Sequence, residues 1–248
     1  NSFSLFYIIQ YFYIIQYFYL NILVALTAFF QPSYFLSTSS LFLRLAVKKA
    51  LSFVKIAYVR DKTSYDLYKS LLPNANVNLG TDWTWHFPID KQNSFVSNSL
   101  VVNLREWKDS QLLNNAIKEI DDFKENKTGL AARKGDIRLL NNINKLSETL
   151  CPNSFIDFSE KCQKYGYGVA MRYHGALAML RAGLKTKLIC YDNKVKDLAE
   201  QAGITLNEKG ISLGFSTPSS AFFIKNEELF KNMKKSFIEV IKQKYDII

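Results

Sequence analysis

Three short segments of the chain share a pattern suited to anion chemistry. Arg60, Arg105 and Arg172 each follow an apolar run and precede a stretch that begins a helix. A helix N-terminus offers free backbone N–H groups and a partial positive charge. An arginine beside it adds a planar fork for phosphate or carboxylate. For Arg60 the adjacent Asp61 is the expected partner. The run Arg172-Tyr173-His174-Gly175 is the sharpest of the three. It sets an imidazole at a helix start, where it can bond a phosphate or transfer a proton near neutral pH. Gly175 and Ala176 let backbone approach a ligand closely. The other histidine, His86, reads as structural.

Elements that alternate between strand and helix must position these groups. Ser37–Ser40 is a polar break that can cap a helix from about Leu41 to Ser52, and Val54–Val59 reads as a buried strand. Thr63-Ser-Tyr-Asp66 resembles a capping box for a helix through Leu72, and Asn76–Gly80 is a short strand leading to Asp82. The polar stretch Pro88–Asn98 is the linker candidate. Beyond it, a strand over Leu100–Leu104 ends at Arg105, and Asp109 or Ser110 caps a helix. That helix has Leu112, Leu113, Ala116, Ile117, Ile120 and Phe123 on one side. Ile137, Leu140, Ile143 and Leu146 suit another helix, but the strand expected just before it is weak. A short helix at Asp157–Tyr165 comes next, then a strand over Tyr167–Met171 and a helix over Gly175–Arg181. A strand at Thr186–Cys190 leads to a helix capped by Asp192 and ending at Gly203. Glu227–Gln243 is a final amphipathic helix with Phe230, Met233, Phe237, Val240 and Ile241 inward.

This alternation predicts an α/β fold with parallel sheets, whose ligands bind beyond the carboxyl ends of the strands. The domain reading is an apolar segment at 1–40, the rest of a first lobe at 41–92, a second lobe with the donor site at 93–224, and a C-terminal helix at 225–248.

Composition sets bounds. The 248 residues are 48 % hydrophobic and 22 % charged, enough for a sizeable core. A net charge of +10 favours acidic partners. No run of five basic residues occurs, and the aromatics concentrate in the uncharged N-terminus, which disfavours nucleic acid. Cys151, Cys162 and Cys190 match no zinc or redox spacing and read as reduced thiols of a cytosolic protein. With two histidines, no His-rich metal site can form, and no metal is expected.

Phe3–Phe30 carries no charge, and a hexapeptide repeats in tandem at 7–12 and 13–18. It lacks the basic start of a signal peptide. Three readings stay open: part of an incomplete first lobe, a membrane-associated segment, or an aberrant stretch.

The stretch Gly168–Gly183, followed by Tyr191-Asp-Asn-Lys-Val195 and Ala202-Gly-Ile204, resembles the signature of the polysaccharide pyruvyl transferase family. Val59-Arg-Asp-Lys-Thr-Ser64 is similar to that family's Arg-Asp-x-x-Ser segment. Asp82 falls where the family has an Asp after a short strand, and Val101–Trp107 looks like its strand-Arg-x-Trp element. The resemblance implies a glycosyltransferase-B-like fold of two Rossmann-like lobes with parallel sheets. Against that pattern the first lobe reads as truncated, since only about sixty residues precede Arg60 and no glycine occurs before Gly80.

It further implies transfer of a pyruvate ketal from phosphoenolpyruvate to a sugar of a cell-surface polysaccharide or exopolysaccharide. Carried over, Arg105, Arg172 and His174 contact the donor, with His174 as the acid, and Tyr173 and Gly175 complete the binding run. Lys194 follows the family pattern and either neutralises a ligand charge or caps a carboxylate. Arg60, Asp82 and Trp107 are secondary candidates, Trp107 as a wall of the sugar site. No cofactor is implied. The expected partners are phosphoenolpyruvate and a saccharide acceptor, lipid-linked or free. The expected location is the cytoplasm, with peripheral contact at the inner membrane face. Two other functions compete: a nucleotide-sugar glycosyltransferase of the same fold, with Asp192 gripping a ribose, or a non-catalytic membrane-associated remnant in glycan assembly.

Overall fold

The structure, a computed structural model, describes residues 45, 48, 49, 51–54, 56–89 and 97–245. The apolar segment 3–30, the break at 37–40, most of the helix expected at 41–52 and part of the 88–98 linker lie outside the described residues. Two compact units divide between Thr81 and Asp82.

The first unit contains one βαβ element. Strand β1 (Ala57–Val59) and strand β2 (Val77–Leu79) pair in parallel, joined by helix α1 (Lys62–Leu71). The helix cap is Asp61 rather than Thr63: its carboxylate accepts the Ser64 N–H at 2.7 Å. Arg60 Nε lies 4.0 Å from the same carboxylate.

The second unit opens with a 3-10 helix (Trp83–His86) and continues as a doubly wound α/β layer. Its strands are β3 (Ser97–Asn103), β4 (Lys127–Leu130), β5 (Leu146–Leu150), β6 (Tyr165–Ala170) and β7 (Lys185–Leu188). They pair in the order β5-β4-β3-β6-β7, all parallel. The helices are α2 (Ser110–Asp121), α3 (Lys134–Leu140), α4 (Phe155–Cys162), α5 (Tyr173–Arg181), α6 (Asn193–Ala202) and α7 (Ser220–Tyr245).

The pleat of β3 decides the layering. Leu100 and Val102 enter one core with Leu112, Ala116 and Ile120 of α2 and Leu140 of α3. Val101 enters the other with α5, with Val195 and Leu198 of α6, and with Phe222 of α7. Strand β3 is buried on both faces, as a central parallel strand requires. At α6, Asp192 accepts the Val195 N–H at 3.0 Å, and Gly203 ends the helix at φ 73°.

Two strands differ from expectation. The region 128–150, read mainly as one helix, holds β4, α3 and β5, and Leu146 belongs to β5. In β4, Gly129 stands where a Cβ would come within 3.1 Å of Leu140 Cδ1 and Thr149 Oγ1. Its first residue, Lys127, is 1 % exposed and donates to the Asp121 and Asn144 carbonyls. The strand therefore has one large apolar side chain and no visible apolar run. Edge strand β5 is half exposed and carries Ser147 and Glu148. Helix α7 starts seven residues before the expected Glu227.

The three cysteines are free thiols. Burial pushes the Cys162 thiol far up and the Cys190 thiol up to about 12, while Cys151 is exposed. Only thiolates react readily. Native protein is expected to take up one equivalent of maleimide at neutral pH, at Cys151, as peptide mass mapping would read. Fast labelling of Cys162 would contradict the packing.

Candidate functional site

In a sheet of this order the chain reverses its winding between the first strand and the fourth, and the crevice beyond their carboxyl ends is the natural ligand position. Here those strands are β3 and β6. Their last register pair is Asn103 with Ala170. Arg105 and Arg172 each lie two residues beyond it, at equivalent points on either side of the switch.

The two arginines are in different states. Arg172 is the N-cap residue of α5, with no side-chain capping bond of its own. Its Nε and Nη2 donate to Asp136 at 2.9 and 2.5 Å, a two-point ion pair. Asp136 is 2 % exposed, and the same carboxylate also accepts the Arg133 N–H at the start of α3. The α3 N-terminus, Asp136 and Arg172 thus form one charge-balanced unit. Arg105 has no carboxylate partner among the described residues. Its Nη1 donates to the Tyr191 hydroxyl at 2.9 Å, and its guanidinium lies against the rings of Tyr191 and Trp107. Its Nε is buried without a hydrogen-bond partner. Burial pushes the Tyr191 phenol up, Asp192 adds to the rise and the Arg105 charge opposes it. A neutral phenol therefore accepts from Arg105 and directs its own proton to Asp192. Among the described residues Arg105 is a switch-point cation with no carboxylate partner, aligned by two aromatic walls.

His174 occupies the first turn of α5 and is 59 % exposed. Its Nε2 lies 3.3 Å from Asp82 Oδ2. A carboxylate can only accept, so this contact puts the hydrogen on Nε2 and leaves Nδ1 to take up or release a proton. Asp82 is 8 % exposed, and its Oδ1 accepts from the Thr84 amide at 3.0 Å and the Thr84 hydroxyl at 2.8 Å. Tyr173 packs edge-on against His174, as does Phe155 of α4.

Gly175 is explained first by packing. A Cβ there would come 2.2 Å from Asn103 Oδ1. Asn103 is fully buried and donates through Nδ2 to the Leu130 carbonyl at 2.7 Å, while Oδ1 has no hydrogen-bond partner. Strand β3 and the first turn of α5 are in direct backbone-to-side-chain contact. Gly175→Ala is expected to destabilise the fold by about 1–3 kcal/mol through overpacking. Urea unfolding would read this, and an unchanged midpoint would mean that the contact is slack.

Of the other residues selected from sequence, Trp107 stacks edge-on with Tyr191 at 4.6 Å between ring centres. Lys194 sits half-buried in the first turn of α6, one strand out from the switch. Arg60 belongs to the first unit, beside Asp61. Among the described residues no group of three His, Cys, Asp or Glu side chains could hold a metal. None of their helices is long and apolar enough to cross a membrane. Sequence reasoning missed Asp136 and Asn103. The spacing of an acid three residues after Arg133 at a helix start was the available signal for Asp136.

The sequence model of the polysaccharide pyruvyl transferase family matches residues 4–180. The chain belongs to that family. The match includes Asp82, Arg105, Asp136, Arg172 and His174, so the switch-point residues are part of the shared region. No curated protein matches this member of the family. The solved structures that align with it include two at 12 % identity or less. One is the accessory secretory protein 1, 2 and 3 structure from Streptococcus pneumoniae, at TM-score 0.41 and 12 % identity over 63 % of this chain and 38 % of that one. The other is a TarM mutant of S. aureus in complex with fondaparinux, α-GlcNAc-glycerol and UDP. It aligns at TM-score 0.45 and 9 % identity over 79 % of this chain and 40 % of that one. This pyruvyl transferase family member therefore spans less than half the length of either.

Proposed function

We propose that this chain carries the donor site of a polysaccharide pyruvyl transferase that uses phosphoenolpyruvate and transfers a pyruvate ketal to a saccharide acceptor. The observation that supports this best is the pairing of Arg105, without a carboxylate partner among the described residues, with the carboxylate-oriented His174 across one switch point. Phosphoenolpyruvate carries a phosphate and a carboxylate. Arg105, the N-terminus of α5 and the remaining N–H groups of Arg172 offer matched partners for both.

Ketal formation then follows. A proton from His174 Nδ1 goes to C3 and makes it a methyl group. A sugar hydroxyl adds to C2 and passes its proton back to His174 Nδ1. A second hydroxyl displaces phosphate at C2, and its proton leaves with the inorganic phosphate as the ketal closes. Asp82 holds the imidazole in orientation through Nε2. Trp107 offers an apolar face for a sugar. The acceptor belongs to a surface or exported polysaccharide, made on the cytoplasmic side, and the two-lobed glycosyltransferase-B-like arrangement belongs to the same proposal.

The nucleotide-sugar reading needs Asp192 to hold a ribose. That carboxylate is already engaged in capping α6 and in a hydrogen bond with Tyr191.

The test is calorimetric titration with phosphoenolpyruvate, then phosphate release in the presence of diol-bearing saccharides. Arg105→Ala is expected to weaken donor binding by about 1.5–3 kcal/mol, roughly 10- to 150-fold in Kd, with an unchanged unfolding midpoint. Tight donor binding by Arg105→Ala would refute the donor-site assignment.

A further inference from the structure

The last residue of α5, Arg181, is 7 % exposed although it is charged. Its Nη1 donates to the Thr84 carbonyl at 2.6 Å and its Nη2 to the Phe87 carbonyl at 2.7 Å. Its guanidinium lies 4.5 Å from the Trp85 ring centre and 6.0 Å from that of Phe155. Burial pulls its pKa down to about 10, against the opposing pull of Glu227 and Asp82, so it remains a cation at any physiological pH.

His174 and Arg181 are seven residues apart, which is two turns on one face of a helix. Both reach the same segment, His174 at Asp82 and Arg181 at Thr84 and Phe87. Residues 82–87 therefore run as a strap along α5, pinned at each end by a side chain of that helix. Trp85 is buried beneath the strap in the core with Leu177, Leu180 and Phe222. Asp82 caps the strap's 3-10 helix, so the position of its carboxylate follows from how the strap is held.

We propose that Arg181 is a positioning residue for the Asp82–His174 pair. It acts about 10 Å along α5 from the imidazole, given a rise of about 1.5 Å per residue. It fixes the strap through two carbonyls, and the strap presents Asp82 Oδ2 to His174 Nε2. What the pair does chemically rests on the pyruvyl-transfer reading. That Arg181 sets its geometry does not.

Two readouts separate the two. The first is the NMR resonance of the His174 ring at fixed pH, which is resolvable because the chain has two histidines and His86→Gln assigns the other. Arg181→Met is expected to move the His174 resonance the same way as Asp82→Asn does, and the double variant to match Asp82→Asn alone. The second is pyruvyl transfer from phosphoenolpyruvate. Arg181→Met is expected to lower kcat about 10- to 100-fold with the donor KM within about twofold, and Arg181→Lys to recover part of the loss. Should Arg181→Met fail to fold, Arg181→Lys, which keeps the charge and one carbonyl contact, carries both readouts. An unmoved His174 resonance in a folded Arg181 variant, or additive effects with Asp82→Asn, overturns the proposal. A wild type without transfer activity refutes the pyruvyl reading alone, and the ring resonance still decides the role of Arg181.

Discussion

Asp136→Asn is expected to be among the most destabilising single substitutions in the second unit, at about 3 kcal/mol. Removing one partner of a buried ion pair costs roughly 3–5 kcal/mol, because the other charge stays behind uncompensated. The lower end applies here because the Arg172 side chain retains 16 % exposure, against 3 % for Asp136. Asparagine keeps the shape and can still accept the Arg133 N–H, so the loss isolates the charge. The substitution also frees Arg172 from its two-point grip. Donor affinity is therefore expected to rise or hold while stability falls. Denaturant midpoints and calorimetry on the same sample measure both. A variant as stable as wild type would show that the pair is worth little, as exposed pairs are.

His174→Ala is expected to lower kcat for pyruvyl transfer by about 100- to 10,000-fold, the range typical of losing a positioned proton donor. The fold should tolerate it, because the ring is 59 % exposed and outside both cores. Donor affinity should change far less than the rate, since Arg105 remains. Single-turnover kinetics with saturating phosphoenolpyruvate separates the two effects. A rate within about threefold of wild type would remove His174 from the chemistry.

Arg105, Arg172 and His174 were legible because the sequence repeats one local theme, an apolar strand, then a polar residue, then a helix start. That theme is set by backbone chemistry within a few residues. The local signal at Asp136, an acid three residues after Arg133, announces a helix start but not the ion pair, whose partner lies 36 positions away. The same holds for Tyr191, which meets Arg105 across 86 positions. Strand β4, expected ahead of α3, reads as weak because its central position is a glycine forced by Leu140, Leu146 and Thr149, contacts that exist only after folding. The caps at Asp109 and Asp192 were readable for the opposite reason: each bonds an amide three residues away.

The sequence separations inside the switch point carry a consequence for biosynthesis. Asp82 waits 92 positions for His174, Thr84 waits 97 for Arg181, and Arg105 waits 86 for Tyr191. Central strand β3 likewise cannot complete its pairing until β6 exists. On a ribosome that extends the chain from the N-terminus, β3, α2, β4, α3 and β5 emerge with one flank of β3 open and Arg105 without its phenol. Such long-range pairings make for slow closure. The nascent chain thus carries an apolar unpaired strand edge until Tyr165–Leu188 is synthesised, and Arg105 meets its phenol only after Tyr191 has followed.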